Sequence, residues 1–563
     1  MDPARKSSGP AGAHATSAEA QERQRGDFTT DSRVLVLAGM AAVIGAFSAF
    51  VALALVKLID LFTNLFYYHR ALAVPASPAG NALGLWAILV PVLGGLVIGL
   101  MARYGSEKIR GHGIPEAMEA ILIGQSRMDL KTAILKPLSS ALSIGAGGPF
   151  GAEGPIIMTG GAFGSLFAQA FHLSSAERKT LLVAGAAGGM TGIFATPLAA
   201  TLLAVELLLF EWKPRSFIPV AVAACVAAVV RVPLLGAGPI FQIPPHAALD
   251  WRGMAGALAL GLLTGLGSSV LTLLVYAFED LFGRLPVHWM WWPLIGGLAI
   301  GVGGLIEPRA LGVGYGAIAD LLAGQLVLGA LISLLVVKAL IWSIALGSGT
   351  SGGVLAPLLM MGGALGALSA GWLPGHDAGQ WALIGMGAMM GGTMRSPFTA
   401  IAFAVELTRD VAMIPPLLVA CVAADAVTVL LMKRSILTEK VARRGHHVMR
   451  EYGVNPLHLL RVEDAMDLDA EAVGAGAASV TYADELLEEA ARRMLAADVP
   501  QLPVVSRDDP TRAVGYLRRS GMMAAWLDLT QEEHAREPGW LTSRGRLLRG
   551  RLRRVLGGVG QAP

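Results

Sequence analysis

The chain has 563 residues, 54% of them hydrophobic and only 15% charged, with 70 Gly, 30 Pro and a formal net charge of +3. Soluble domains carry about 25% charge, and the mean hydropathy here is +0.59. These figures exclude a soluble enzyme, a disordered protein and a coiled coil, and the small net charge gives no field for nucleic acid. They leave a polytopic membrane protein whose helices are interrupted or closely packed.

Residues 1–32 mix Ser, Ala, Gly, Gln and charge without an apolar signal core, and read as a disordered arm. Arg5, Lys6, Arg23 and Arg25, with Arg33 at the membrane edge, favour a cytoplasmic N-terminus. Apolar runs at 34–65, 83–102, 217–236, 253–280 and 286–306 are long enough to span a bilayer. Shorter ones, at 114–124, 156–172, 180–195, 197–210, 316–324 and 397–407, are cut off by Gly, Pro or charge. Such pieces suggest half-helices or re-entrant segments enclosed by protein. Cys225 and Cys421 both lie in apolar runs, where small core hydrophobes are expected rather than a disulfide.

The membrane region is internally repeated. Residues 155–166 match 357–368 at an offset of 202, and Gly145, Gly147, Gly151 and Lys136 fall on Gly347, Gly349, Gly353 and Lys338. Pro197 and Glu206 are spaced as are Pro397 and Glu406. Two copies of one unit result, about 34–236 and 250–433. Broken segments at matching positions point to a substrate site at the repeat interface. Hydropathy and loop charge leave open whether the copies are parallel or inverted.

Three helix starts carry the chemistry: Gly111-His-Gly-Ile-Pro-Glu116, Gly151-Ala-Glu-Gly-Pro155 and Gly353-Val-Leu-Ala-Pro357. In each, glycines precede a proline that fits the first helical turn. Free amides and the helix dipole there suit an anion without any basic side chain. Glu153 stands in one of these breaks, where an intramembrane carboxylate is functional by default. It could occupy the anion site, compete with the substrate and be released by protonation, acting as gate and proton carrier. Its repeat mate is Leu355. Glu206, Glu406, Lys136 and Lys338 recur in both copies, and a scaffold role is favoured for them. Gly349-Thr-Ser351-Gly352 resembles an intramembrane serine-protease motif, but the membrane region offers no suitable histidine base.

After Arg443 the chain becomes polar. A unit from Val462 to Ala525 shows a helical stretch at 485–496 and strand-like 502–505 and 514–517. Six arginines between Arg544 and Arg554 form a basic tail suited to solvent or to an anionic membrane surface.

Over about 34–444 these motifs, in order and spacing, resemble the CLC family of chloride channels and proton-coupled chloride antiporters. The resemblance implies an all-α polytopic membrane protein of two inverted repeats with broken and re-entrant helices (33–444). A small α/β cytoplasmic module (456–530) and a tail (531–563) follow. It implies a homodimer with one pore per subunit in the cell membrane, the inner membrane if bacterial, with both termini cytoplasmic. Glu153 becomes the counterpart of the gating glutamate. The anion-binding positions become His112, Gly113, Ile114, Ala152, Val354 and Leu355. Chloride is the expected substrate, with nitrate or fluoride as alternatives; no cofactor or metal is implied.

Three positions depart from the family pattern. His112 replaces the serine whose hydroxyl holds the central anion, so pH dependence could enter there. Leu437 replaces the inner tyrosine, which loosens the inner gate. Leu207, beside Glu206, replaces the internal proton-transfer glutamate of the antiporters, so passive conduction is at least as well supported as antiport. Val462–Ala525 looks like a single CBS motif, a module that binds adenine nucleotides in pairs, so nucleotide binding is a weak expectation. A CBS-regulated cation transporter, the different-class alternative, should show several pore carboxylates.

Overall fold

The computed structural model describes residues 32–446, 448, 460–468, 480–507, 509, 512–534 and 536–537. The N-terminal arm and the arginine-rich segment 544–554 lie outside the described residues. Eight consecutive elements build the first repeat. They are α1 (Arg33–Tyr68), α2 (Leu89–Tyr104), α3 (Ile114–Leu122), α4 (Leu130–Gly145), α5 (Glu153–Gln169), α6 (Ser175–Phe194), α7 (Pro197–Leu203, continued by a π-helical turn Ala204–Leu209) and α8 (Pro214–Leu235). The second repeat follows the same order. It comprises α9 (Trp251–Gly283), α10 (Trp292–Ile306), α11 (Tyr315–Leu322), α12 (Leu328–Gly347), α13 (Leu355–Ser369), α14 (Ala378–Met394), α15 (Pro397–Thr408) and α16 (Ile414–Leu431), and α17 (Ile436–Arg443) closes the body. Among the described residues, seven helices are long and apolar enough to cross a membrane.

Local sequence explains the helix ends. Pro occupies the first turn of α3, α7, α8, α10, α15 and α16, where its missing N–H has no helical partner to lose. The α6 start is a capping box: the Ser174 hydroxyl accepts from the Glu177 amide at 3.2 Å, and Glu177 accepts from the Ser174 amide at 2.8 Å. With this cap α6 starts five residues earlier than hydropathy suggests, and α5 starts three residues earlier, at Glu153.

The helices pack through small residues, as bilayer-embedded helices must when burial of apolar area no longer drives association. A Cβ on Gly160 of α5 would lie 2.3 Å from the Gly185 carbonyl of α6, and one on Gly362 of α13 would lie 2.3 Å from that of Gly385 on α14. One buried apolar cluster runs through both repeats, while Leu93, Leu262, Leu266 and Leu430 are exposed, as bilayer-facing residues are. Cys421 is buried, but Cys225 is exposed on α8, so the core role expected for both cysteines holds only for Cys421. Between Phe217 and Val230 the α8 helix is apolar on all sides, and its pattern does not say which face is covered.

Two reciprocal contacts fix how the repeats relate. Glu206, at the end of the α7 segment, accepts from the Thr399 amide of α15 at 2.8 Å and from that of Phe398 at 3.3 Å. Glu406, at the end of α15, accepts from the Ala199 and Leu198 amides of α7 at 2.8 and 3.0 Å. Each helix ends where its mate begins, so α7 and α15 run antiparallel and the repeats are inverted.

Beyond α17 a small α/β unit has its own apolar core, built around Val462, Leu487, Met494, Leu502, Val504 and Leu517. Strands β2 (Met466–Asp467), β3 (Thr481–Tyr482), β4 (Gln501–Val505) and β5 (Ala513–Arg518) form one sheet in the order β2-β5-β4-β3. The β3–β4 pair is parallel, spanned by α18 (Leu487–Ala496), and β4–β5 is antiparallel; α19 (Arg519–His534) follows. A short pair, β1 (Leu173–Ser174) with β6 (Arg536–Glu537), joins the α5–α6 turn to the segment after α19.

Candidate functional site

The three glycine-bearing helix starts converge inside the body. Gly151 and Gly353 form an antiparallel bridge, with the Gly353 amide donating to the Gly151 carbonyl at 2.9 Å and the reverse bond at 3.3 Å. The α3 start joins them: the Gly352 amide lies 3.4 Å from the Gly111 carbonyl, and a Cβ on Gly154 would come within 1.9 Å of the His112 carbonyl. Glycines are thus required for backbone to meet backbone at this point.

Glu153 is the first residue of α5, yet its carboxylate belongs to the other repeat. Oε1 accepts a hydrogen bond from the Leu355 amide, the first of α13. A Cβ on Gly353 would lie 2.3 Å from this oxygen, so only glycine leaves the carboxylate room. Glu153 is fully buried, as are Ile114, Val354 and Leu355, and Ala152 is 2% exposed. A helix N-terminus stabilises negative charge through its oriented amides and dipole. Here the protein's own carboxylate takes the position an anion would take.

Two buried lysines frame the site without entering it. Lys136 Nζ donates to the carbonyls of Ile109 and Gly111 at 2.8 and 2.7 Å, and Lys338 Nζ to those of Ala310 and Gly312 at 2.8 and 3.2 Å. Each pins the loop that leads into α3 or α11. Glu206 and Glu406 hold helix starts in the same paired way.

The expected anion ligands divide. Val354, Leu355, Ala152 and Ile114 stand around the Glu153 carboxylate or at the adjoining helix starts. The Gly113 amide, expected to face the anion, donates instead to Glu116 Oε2 at 2.9 Å. The reason is local: the Glu116 side chain, three residues on, reaches back to the amide of the residue before α3, and Arg444 Nη2 holds its other oxygen at 2.8 Å. His112 is 5% exposed and its Nδ1 has no hydrogen-bond partner among the described residues. Leu437 is fully buried in the first turn of α17, which packs on α3. The phenol of Tyr276 on α9 donates to the carbonyl of the preceding residue, Ile436. Leu207 is buried in the π-helical turn after α7.

Ser351 bonds not to a histidine but to two serines of α4, lying 2.8 Å from Ser140 Oγ and 3.3 Å from Ser139 Oγ. The protease reading therefore finds no base beside Ser351 among the described residues. Ser139 and Ser140 escaped sequence reading because a Ser-Ser pair within a helix carries no spacing signal. Among the described residues no cluster of His, Cys, Asp and Glu has metal-binding geometry.

Inverted repeats, membrane-length helices and broken helix starts meeting at a buried carboxylate define a polytopic transporter that handles anions. Residues 94–429 match the family described as Voltage gated chloride channel, and the chain belongs to this CLC family of anion transporters. It is 28% identical over 429 residues to the "H(+)/Cl(-) exchange transporter ClcA" of Salmonella arizonae, covering 73% of this chain and 89% of that one. The protein of that name in Salmonella schwarzengrund matches to the same extent. Among solved structures, the fold is similar to that of a slow cyanobacterial Cl-/H+ antiporter (TM-score 0.66, 23% identity, 74% of this chain and 98% of that one). It is also similar to a CLC-type fluoride/proton antiporter (0.61, 21%, covering 71% and 96%) and a eukaryotic CLC transporter (0.63, 17%, covering 87% and 98%).

Proposed function

We propose that this protein moves chloride or a related small anion through one pathway per subunit of a homodimer, with Glu153 as the gate. The observation that carries this reading is the Glu153 carboxylate seated on the Leu355 amide at the α13 start. While it sits there, an anion is excluded by occupancy and by like charge. Protonation weakens the carboxylate's hold on the amide, and the vacated helix start then accepts the substrate anion. Val354, Leu355, Ile114 and Ala152 line the site, and His112 adds an imidazole where the family has a hydroxyl.

Proton-coupled antiport is the second reading, favoured by relatives named as H+/Cl- exchangers. Leu207 and Leu437 weigh against it, since neither side chain carries a proton or coordinates an anion. Cytoplasmic termini and a regulatory adenine nucleotide at 456–530 belong to the same proposal.

The test is purified protein in liposomes loaded with chloride, nitrate or fluoride. Flux of at least one anion is expected, with Glu153→Ala removing gating and Glu153→Gln altering its pH dependence. Absence of flux for all three anions would sink the assignment. Uphill proton movement driven by an anion gradient would decide for antiport, and ATP added on the cytoplasmic side checks the nucleotide.

A further inference from the structure

Beside the gate lie two buried polar atoms without a hydrogen-bond partner among the described residues: Glu153 Oε2 and the Tyr315 hydroxyl. Native folds rarely leave such atoms unpaired, and each instance calls for an explanation. Packing brings them together: α11, which Tyr315 opens, lies on α13, whose first amide holds the Glu153 carboxylate, and a Cβ on Gly314 would meet Met360 Cε of α13. Glu153 accordingly acts electrostatically on the Tyr315 hydroxyl.

The surroundings hold Tyr315 in place. It opens α11, behind Gly314 in the left-handed conformation at φ 77°. Its ring meets Phe241 edge-on, with centroids 6.0 Å apart, and the Phe241 amide is tied to the Leu407 carbonyl at 3.1 Å. Lys338, the cation that acts on Glu153, spends its ammonium on the Ala310 and Gly312 carbonyls just ahead of α11. The charged groups acting on the pair are therefore Lys338 from α12 and Arg231 from α8, besides Glu153 itself on α5. Arg231 Nη1 is engaged by the Gly236 carbonyl at 2.5 Å.

We propose that Tyr315 is the gate's second resting place: its hydroxyl donates to the Glu153 carboxylate once that group leaves the Leu355 amide. The inference rests on the gating reading of Glu153. In the closed arrangement the carboxylate has the α13 start, and the phenol waits unpaired. In the open arrangement the α13 start is free for the anion, and the phenol meets the group that left it, an ionised carboxylate at high pH and a neutral carboxyl once protonation has released it. A phenylalanine would fill the same space without offering this bond. Tyr315 is thus a positioning residue, since it acts on the anion only through Glu153.

The experiment compares anion efflux from liposomes at about pH 5 to 8 for wild type, Tyr315→Phe, Glu153→Ala and the double variant. Tyr315→Phe should lower efflux on the order of tenfold near pH 8, the size of one lost charge-assisted hydrogen bond. The loss should narrow at acid pH, where the bond would join two neutral groups. The double variant should match Glu153→Ala, and its full efflux would also show that the fold tolerates phenylalanine. Unchanged efflux in Tyr315→Phe, or an equal loss with and without Glu153, would overturn the inference while leaving the gate intact. If Glu153→Ala itself behaves as wild type, the gate reading fails first and takes this inference with it.

Discussion

Gly151 and Gly353 are 202 residues apart, occupy equivalent places in the two repeats, and bond to each other through both backbones. Repeat-equivalent residues that pair reciprocally must lie on the axis relating the repeats, so the inverted two-fold passes between these glycines. Two residues further on the symmetry is broken, with Glu153 in one repeat and Leu355 in the other. A second carboxylate beside the axis would face the first as a like charge in a buried setting. Leu355 therefore leaves one helix start with a carboxylate and the other with an amide to receive it.

Gly353→Ala tests this cradle. The new Cβ would lie 2.3 Å from Glu153 Oε1 and 2.6 Å from the Gly151 carbonyl, so the carboxylate must leave or the bridge must part. Faster anion flux with a flattened pH profile is expected, with a stability loss of about 1–3 kcal/mol from overpacking. A pH profile identical to wild type would show that the carboxylate does not depend on this space.

Glu206→Gln and Glu406→Gln should each lower the thermal midpoint of the detergent-purified protein. Each replaces a charge-assisted cap on two amides by a neutral one, a loss of about 1 kcal/mol or somewhat more. The carboxylates sit at opposite ends of the antiparallel α7 and α15, cap different helices, and should add in the double variant. Strong non-additivity would mean the caps are coupled through the helices.

His246 pairs with Asp410 and also contacts Gln380 Nε2 at 3.1 Å, fastening the 237–250 linker to the second repeat. Burial alone would lower the imidazole, but the Asp410 carboxylate outweighs it and holds His246 above the usual histidine value. A raised folded value means the contribution is complete below about pH 6.5. It is lost as pH climbs through the folded value. Hydrogen exchange of the linker should therefore quicken as pH rises above about 6.5, beyond its intrinsic rise, and His246→Ala should remove that excess.

In the α/β unit Glu485 accepts from Arg493 Nη2 and Nη1 at 2.6 and 2.8 Å and from Thr481 Oγ1 at 2.7 Å. Burial pushes its carboxyl up, but these bonds prevail and hold it below the usual range. Its stabilisation is complete above the unfolded value of about 4.3 and disappears as pH falls through the folded one. Exchange protection of residues 480–505 in the full-length protein should weaken below about pH 4.3. Glu485→Gln should weaken it at neutral pH by about 1–3 kcal/mol. Equal protection of both proteins would assign the unit's stability to its apolar core.

The membrane class, the duplication and the three helix starts are all legible in the residues alone. Each of those signals is local: a run of apolar residues, a repeated spacing, or Gly before Pro where a helix can begin. The sequence also singled out Glu153, because a carboxylate in such a break has few bland explanations. Tertiary structure alone decided which amide that carboxylate occupies, since Glu153 and Leu355 meet only when α5 and α13 are brought head to head. It decided that the repeats are inverted, through the reciprocal caps of Glu206 and Glu406. It gave the Gly113 amide to Glu116, and it packed α11, which Tyr315 opens, against α13. Helix starts are written in a few neighbouring residues, whereas the partner each exposed amide finds is settled by packing between segments some two hundred residues apart.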